Sequence, residues 1–306
     1  MTTPPGNTPL STDGAEAAAA AAAGLRRRKR VSSAFAWLCF AATAACLVIL
    51  AVLLGAIFYQ GVPWLSWTLL TNNASEAPED AGIKAALVGS LWLIAITGAI
   101  AVPIGVGAAV YLEEYAPSSW WRRLIQLNIA NLAGVPSIVY GILGLGLFVR
   151  TMGLGKSVLA GALTLALVVL PIVILATQEA LRAVPGSIRQ ASFALGATRW
   201  QTIWRQVLPA ATPGIMTGVI LAISRALGEA APLVAVGAAI DMTFLPATLG
   251  DAYSGMPLLI FYWAGHSNPQ FHQLAGAAIV VLLLVLILLN SGAVLLRYRY
   301  SRRINW

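Results

Sequence analysis

Along this chain, long apolar runs without charged residues alternate with short segments that hold most of the charges. A helix needs roughly 20 apolar residues to cross about 30 Å of hydrocarbon. Six runs reach or exceed that length, and they predict spans at 33–58, 84–112, 124–149, 157–180, 210–238 and 274–296. The pattern predicts an all-α polytopic membrane protein, with one six-span domain over 33–300. Residues 1–32, with scattered Pro and Gly, then alanines, then a basic stretch, read as a disordered basic tail. The first run is too long for the core of a signal peptide and reads as a retained span. Pro103, Pro136 and Pro171 fall inside spans, where neighbouring helices satisfy the freed carbonyls. Gly134, Gly141, Gly144 and Gly146, and the Gly214/Gly218 pair, read as points of close helix packing.

Composition narrows the class. Of 306 residues, 59% are hydrophobic and 10% charged, which excludes an ordinary soluble enzyme and a disordered chain. The net charge of +8 suggests a polyanion partner until the basic residues are placed. If the N-terminus is inside, the segments 26–30, 122–123, 182–205 and 297–303 carry 15 of the 19 Lys and Arg on the cytoplasmic side. Both termini are then cytoplasmic. The excess charge is a topology signal, and nucleic acid has no support. The outer loops, about 60–82 and 239–273, hold Glu76, Glu79, Asp80, Asp241 and Asp251. Cys39 and Cys46 would lie about 10 Å apart on a helix, too far for a disulfide, and read as small core residues.

Two constellations carry chemistry. In 182–209, Pro185-Gly186-Ser187 can turn the chain and cap a short helix, and Gly196 ends it in the left-handed region. Thr198 can cap a second short helix, and Pro209 opens the next span. The product is a cytoplasmic helix–turn–helix showing Arg189, Arg199 and Arg205. Physics alone allows a basic element resting on anionic membrane lipid or a docking knob for a cytoplasmic partner. The second constellation is Arg225 and Glu229, one turn apart near the middle of the fifth predicted span. An arginine there costs about 2.5–3.5 kcal/mol on insertion scales. The acid can simply neutralise it, or the arginine can meet an anion on a substrate path.

Other candidates are weaker. Gly155-Lys156-Ser157 is similar to the end of a phosphate-binding loop, but Arg150 replaces its first glycine and no strand precedes it. His266 and His272 have no Cys or carboxylate cluster for a metal, and no Ser/His/Asp set supports a hydrolase. Glu113 and Glu114 read as a solvated helix end, with a salt bridge to an arginine of 182–209 as the alternative.

The 182–209 segment resembles the coupling loop of binding-protein-dependent ABC importer permeases, with Gln190-Ala191-Ser192, Gly196, Gln206 and Leu208-Pro209 on the family's frame. Gln190 stands where the family has Glu, and Gln206 where it has Ile. YLEEYAP (111–117), GVPSIVYGILGLGLF (134–148), LPIVILATQEALRAVP (170–185) and GIMTGVILAISRALGEAAPL (214–233) are similar to phosphate-transport permeases of the PstA type. The resemblance implies a type I ABC importer permease carrying inorganic phosphate across a prokaryotic inner membrane, without catalysis of its own. It implies coupling to an ATPase through Arg189, Gln190, Ala191, Ser192, Gly196, Arg199, Leu208 and Pro209, and a substrate path at Arg225 and Glu229. It further implies a PstC-type permease, a PstB-type ATPase dimer that binds the ATP and Mg, and a PstS-type phosphate-binding protein as partners. No cofactor is expected in this chain. Another oxyanion, sulfate or molybdate, and a role in phosphate sensing are the alternatives.

Overall fold

The structure, a computed structural model, describes residues 12–239 and 242–301. Residues 1–11 of the expected tail, Asp241, and Arg302 and Arg303 lie outside the described residues. Among the described residues every regular element is helical. The chain divides into two compact units, 1–56 and 57–306.

Helix α1 (Thr12–Gly61) begins in the first unit. Its start falls on the alanine run, the strongest helix-forming composition available. From Val31 onward its large apolar side chains, Phe35, Trp37, Leu38, Phe40, Ile49 and Leu53 among them, are exposed. Cys39 and Cys46 are free and exposed, so they are not core residues in this chain. A helix that is apolar all round gives periodicity nothing with which to choose a buried face.

The second unit holds α2 (Trp67–Thr71), α3 (Lys84–Val110), α4 (Trp120–Ala133), α5 (Ser137–Gly144) and α6 (Val158–Arg182). Then come α7 (Gly186–Ala194), α8 (Arg199–Thr202), α9 (Leu208–Leu227), α10 (Ala231–Val236), α11 (Met256–Ala264) and α12 (Pro269–Ser301). Among the described residues five stretches of helix are long and apolar enough to cross a membrane, and a sixth is made if α4 and the stretch Ser137–Thr151 count as one span bent by 100°. The bend falls at Gly134-Val135-Pro136, where proline lacks a donor and drives its predecessor out of helix. The predicted span 210–238 is also interrupted: α9 stops at Leu227 and α10 starts at Ala231. Pro103 and Pro171, by contrast, sit inside unbroken helices.

Helix α6 is the buried centre of this unit. A Cβ on Gly105 of α3 would stand 2.7 Å from Val173 Cγ1 of α6, and one on Gly214 of α9 would stand 2.8 Å from the Ala180 Cβ. Gly218 likewise has no room for a side chain against Ala176. The Gly214/Gly218 pair therefore lets two backbones meet where lipid offers no hydrophobic drive. Gly141 plays the same part between α5 and α10, facing Pro232 and Ala235. Gly134 and Gly146 make no such approach.

Candidate functional site

The turn-rich element between α6 and α9 forms for local reasons. Pro185 caps α7, two residues earlier than Ser187, the cap expected from sequence. Gly196 follows the helix with φ +80°, in the region that glycine enters without steric cost. Thr198 then closes a capping box with Gln201: its hydroxyl accepts from the Gln201 amide, and the Gln201 side chain accepts from the Thr198 amide. The chain continues through a π-helical turn, Ile203–Val207, directly into α9. Arg199–Leu227 is thus one continuous helical path, with Leu208 partly buried and Pro209 exposed in its first turn.

The outer surface of this element is open. Gln190, Ala191 and Gly196 are exposed, Phe193 is half-exposed, and Leu195 is 88% exposed. A concavity of about 560 Å³ runs between α7 and the start of the continuous helix, lined by Ser192, Leu195, Gln201, Arg205 and Gln206. Ser192 and Thr202 share a 2.8 Å hydrogen bond that holds α7 on α8. On the neighbouring face Trp200 stacks on Trp204, and the Arg199 guanidinium lies 5.4 Å from the centre of the Tyr115 ring.

Two of the arginines expected on that surface have other engagements. Arg199 is exposed but rests on Tyr115. Arg189 turns inward and pairs with Glu114 at 2.6 Å. Glu114 is buried, and its neighbour Glu113 pairs with Arg182 at 2.6 Å and Arg122 at 3.2 Å. These acids are not a solvated helix end. The alternative, a bridge to an arginine of 182–209, is what the fold builds. The signal for it in the sequence was two acids beside a surface crowded with arginines, but the partner is 75 residues away.

About 17 residues and roughly 25 Å along α9 stands the other constellation. Arg225 occupies the last turn of α9, and Glu229 lies in the break before α10. Their ion pair, Arg225 Nε to Glu229 Oε1, is 3.1 Å long. The Arg225 side chain is 50% exposed and that of Glu229 16%. Arg225 is therefore at a helix terminus rather than mid-helix. There its charge also faces the α9 carbonyl end, a favourable arrangement. One residue back, Ser224 donates to Ile220 O and to Asn290 Oδ1 of α12 at 2.5 Å. Asn290 escaped the sequence reading because a lone asparagine in an apolar run carries no spacing pattern.

No group of three or more metal-ligating side chains occurs among the described residues. His266 packs against Phe271 with ring centres 4.3 Å apart and planes inclined by 51°, and His272 hydrogen-bonds the His266 carbonyl oxygen.

The comparisons with known proteins agree with this architecture. The profile of binding-protein-dependent transport system inner membrane components matches residues 101–306. The "Probable ABC transporter permease protein YqgI" of Bacillus subtilis is 40% identical over 61% of this chain and 64% of its own length, so the match spans a little under two thirds of that relative. The "Phosphate transport system permease protein PstA 1" of Mycobacterium tuberculosis is 38% identical over 78% of this chain and 76% of its own. Among solved structures, a permease chain of a bacterial ABC transporter importing alginate superposes with a TM-score of 0.61 at 17% identity, covering 86% of this chain and 96% of that one. A chain of the inward-facing MetNI methionine ABC transporter gives 0.58 at 19% identity, over 71% and 96%.

Proposed function

The chain belongs to the family of binding-protein-dependent transport system inner membrane components, and on that footing we propose that it is the PstA-type permease subunit of an ATP-driven phosphate importer. The observation that carries the reading is the single helical path from Arg199 to Leu227. It joins an exposed turn element at one end to an Arg–Glu pair at a broken helix at the other. In this reading both termini are cytoplasmic, and an ATPase dimer of the PstB type binds ATP and Mg and docks on α7 and the concavity beside it. A PstC-type permease completes the path and a PstS-type protein delivers the anion. Gln190, Ala191, Ser192 and Gly196 offer the docking surface, while Leu208 and Pro209 start the helix that carries the movement inward.

At the far end of that helix, Arg225 meets the anion. Its planar guanidinium matches two oxygens of an oxyanion. Glu229 holds the free arginine in place and accepts a hydrogen bond from a P–OH. Sulfate has no such proton at neutral pH and leaves the carboxylate facing an oxyanion. A site built to receive a hydrogen bond rejects an analogue that lacks one by more than size allows.

The test is labelled phosphate uptake at limiting concentration, in cells lacking this chain and restored with native or variant copies at matched membrane levels. Arg225→Gln abolishes uptake, and Arg225→Lys impairs it. Glu229→Gln retains some uptake and becomes open to competition by sulfate. Equal restoration by Arg225→Gln and the native chain makes Arg225 structural. Failure of the native chain to restore uptake removes phosphate as the substrate.

A further inference from the structure

Besides the Ser192 hydrogen bond to Thr202 of α8 and the apolar contact of Ile188, helix α7 has a charged tie to the bundle through Arg189. Arg189 is 23% exposed and uses all three of its nitrogens. Its Nε and Nη2 donate to Glu114 Oε1 at 3.2 and 2.6 Å. Its Nη1 donates to Val184 O at 2.9 Å and Nη2 to Leu181 O at 3.0 Å. One guanidinium therefore joins α7 to the end of α3, to a carbonyl in the last turn of α6, where an α-helix leaves acceptors without internal donors, and to Val184 just beyond it.

The acceptor is built for the purpose. Beyond Val110, α3 widens into a π-helical turn, Tyr111–Tyr115, closed by the Ala116 amide on Tyr111 O at 2.8 Å. Successive side chains on a helix point in different directions, and here both are used. Glu113 receives Arg182 of α6 and Arg122 and Gln126 of α4, while Glu114 receives Arg189. A π-turn inside a helix often marks a functional position.

We propose that the Glu114–Arg189 pair is the tie through which a displacement of α7 reaches α3 and α6, making Arg189 a positioning residue rather than a docking one. The inference rests on the coupling role of α7 given above, and it does not depend on which anion is carried. Separating a largely buried pair leaves each charge without its partner, a heavy penalty. A push on α7 therefore moves the ends of α3 and α6 with it. Meanwhile α8 passes the same push to α9 through continuous helix. The two routes meet again where α3 and α9 pack on α6 at Gly105 and Gly218.

The experiment follows amide hydrogen exchange in the assembled transporter, ATPase included, with and without ATP. In the native complex, exchange in 186–194 and in 111–116 responds to ATP together. In Arg189→Gln and in Glu114→Gln the first segment still responds and the second does not. The exchanged pair, Glu114→Arg with Arg189→Glu, restores the joint response. Uptake per ATP hydrolysed falls by about tenfold in the single variants, the order of a typical coupling free energy between two sites. If a glutamine variant fails to assemble, Arg189→Lys decides: it keeps the ion pair while losing the fork that reaches the α6 carbonyls, so 111–116 must still respond. A native complex in which 111–116 ignores ATP overturns the proposal. So does a glutamine variant in which it responds as before.

Discussion

At the α7 end of the second unit, α3, α4, α6 and α7 meet through charged side chains: two glutamates serve Arg122, Arg182 and Arg189. At the opposite end the same bundle meets through apolar packing and backbone hydrogen bonds. Trp263, Leu259 and Met256 of α11 are buried against Leu69, Ile83, Phe271 and Leu274. The Ser90 hydroxyl accepts from the Met256 amide at the head of α11. Broad apolar contact loses energy gradually as it slides, whereas a buried ion pair is either made or broken. The first suits a platform that keeps its shape. The second suits a junction whose parts must move as one.

That contrast is most exposed to refutation at Trp263, 1% exposed. Trp263→Ala removes a large buried ring and lowers stability by about 3–5 kcal/mol, read as a lower midpoint of thermal unfolding in detergent. Transport per correctly inserted molecule stays near the native value. A variant that folds as well as the native chain yet transports nothing would place moving machinery at this end and erase the distinction.

Gly196 gives the converse case. At φ +80° a β-branched side chain is strained by about 1–3 kcal/mol, and no atom lies within 4 Å of where its Cβ would stand. Gly196→Val therefore reshapes the turn between α7 and α8 without a packing clash. Insertion and membrane level are kept, while uptake is lost because α7 no longer meets the ATPase in register. Undiminished uptake in this variant would remove the α7–α8 turn from the coupling route.

The sequence made one of these ends more legible than the other. Gly196, Thr198 and Pro209 are local signals, and the turn, the capping box and the start of α9 follow from them within a few residues. Apolar run length likewise marked six spans, and among the described residues five stretches, or six with the bent pair, are long and apolar enough to cross. It missed the break at Gly228–Ala230 because hydropathy barely changes there. The usable signs were a glycine, a charge and Pro232, a residue favoured in the first turn of a helix. The inward turn of Arg189 had no local sign at all. Its partner Glu114 is fixed by how α3 lies along α6, and that depends on Gly105 meeting Val173. Contacts between residues far apart in sequence are what periodicity does not encode.

The smallest effect, and the one that refines the picture of the platform end, concerns Asp251. Its carboxylate accepts from the Thr248 hydroxyl at 2.7 Å and from the Thr248 and Ala247 amides at 2.8 and 2.7 Å. These bonds, the Thr248 hydroxyl foremost, hold its pKa below the ordinary aspartate value. The loop so shaped accepts the first amides of α6: Val158 donates to Asp251 O and Leu159 to Leu249 O, at 2.9 and 3.0 Å. A carboxylate whose pKa is lower folded than unfolded adds stability above the unfolded value, near 4. That stability is lost as pH falls through the lowered folded value. Protection of the Val158 and Leu159 amides, their exchange relative to the intrinsic rate at each pH, is therefore flat from neutral pH down to about 4 and falls below it. In Asp251→Asn the loop lacks the charge at every pH, so protection of both amides is reduced already at neutral pH and the acid step disappears. Because the carboxylate is solvent-exposed, the change stays local and uptake at neutral pH is kept. Identical profiles for variant and native chain would mean that apolar packing alone orders this end.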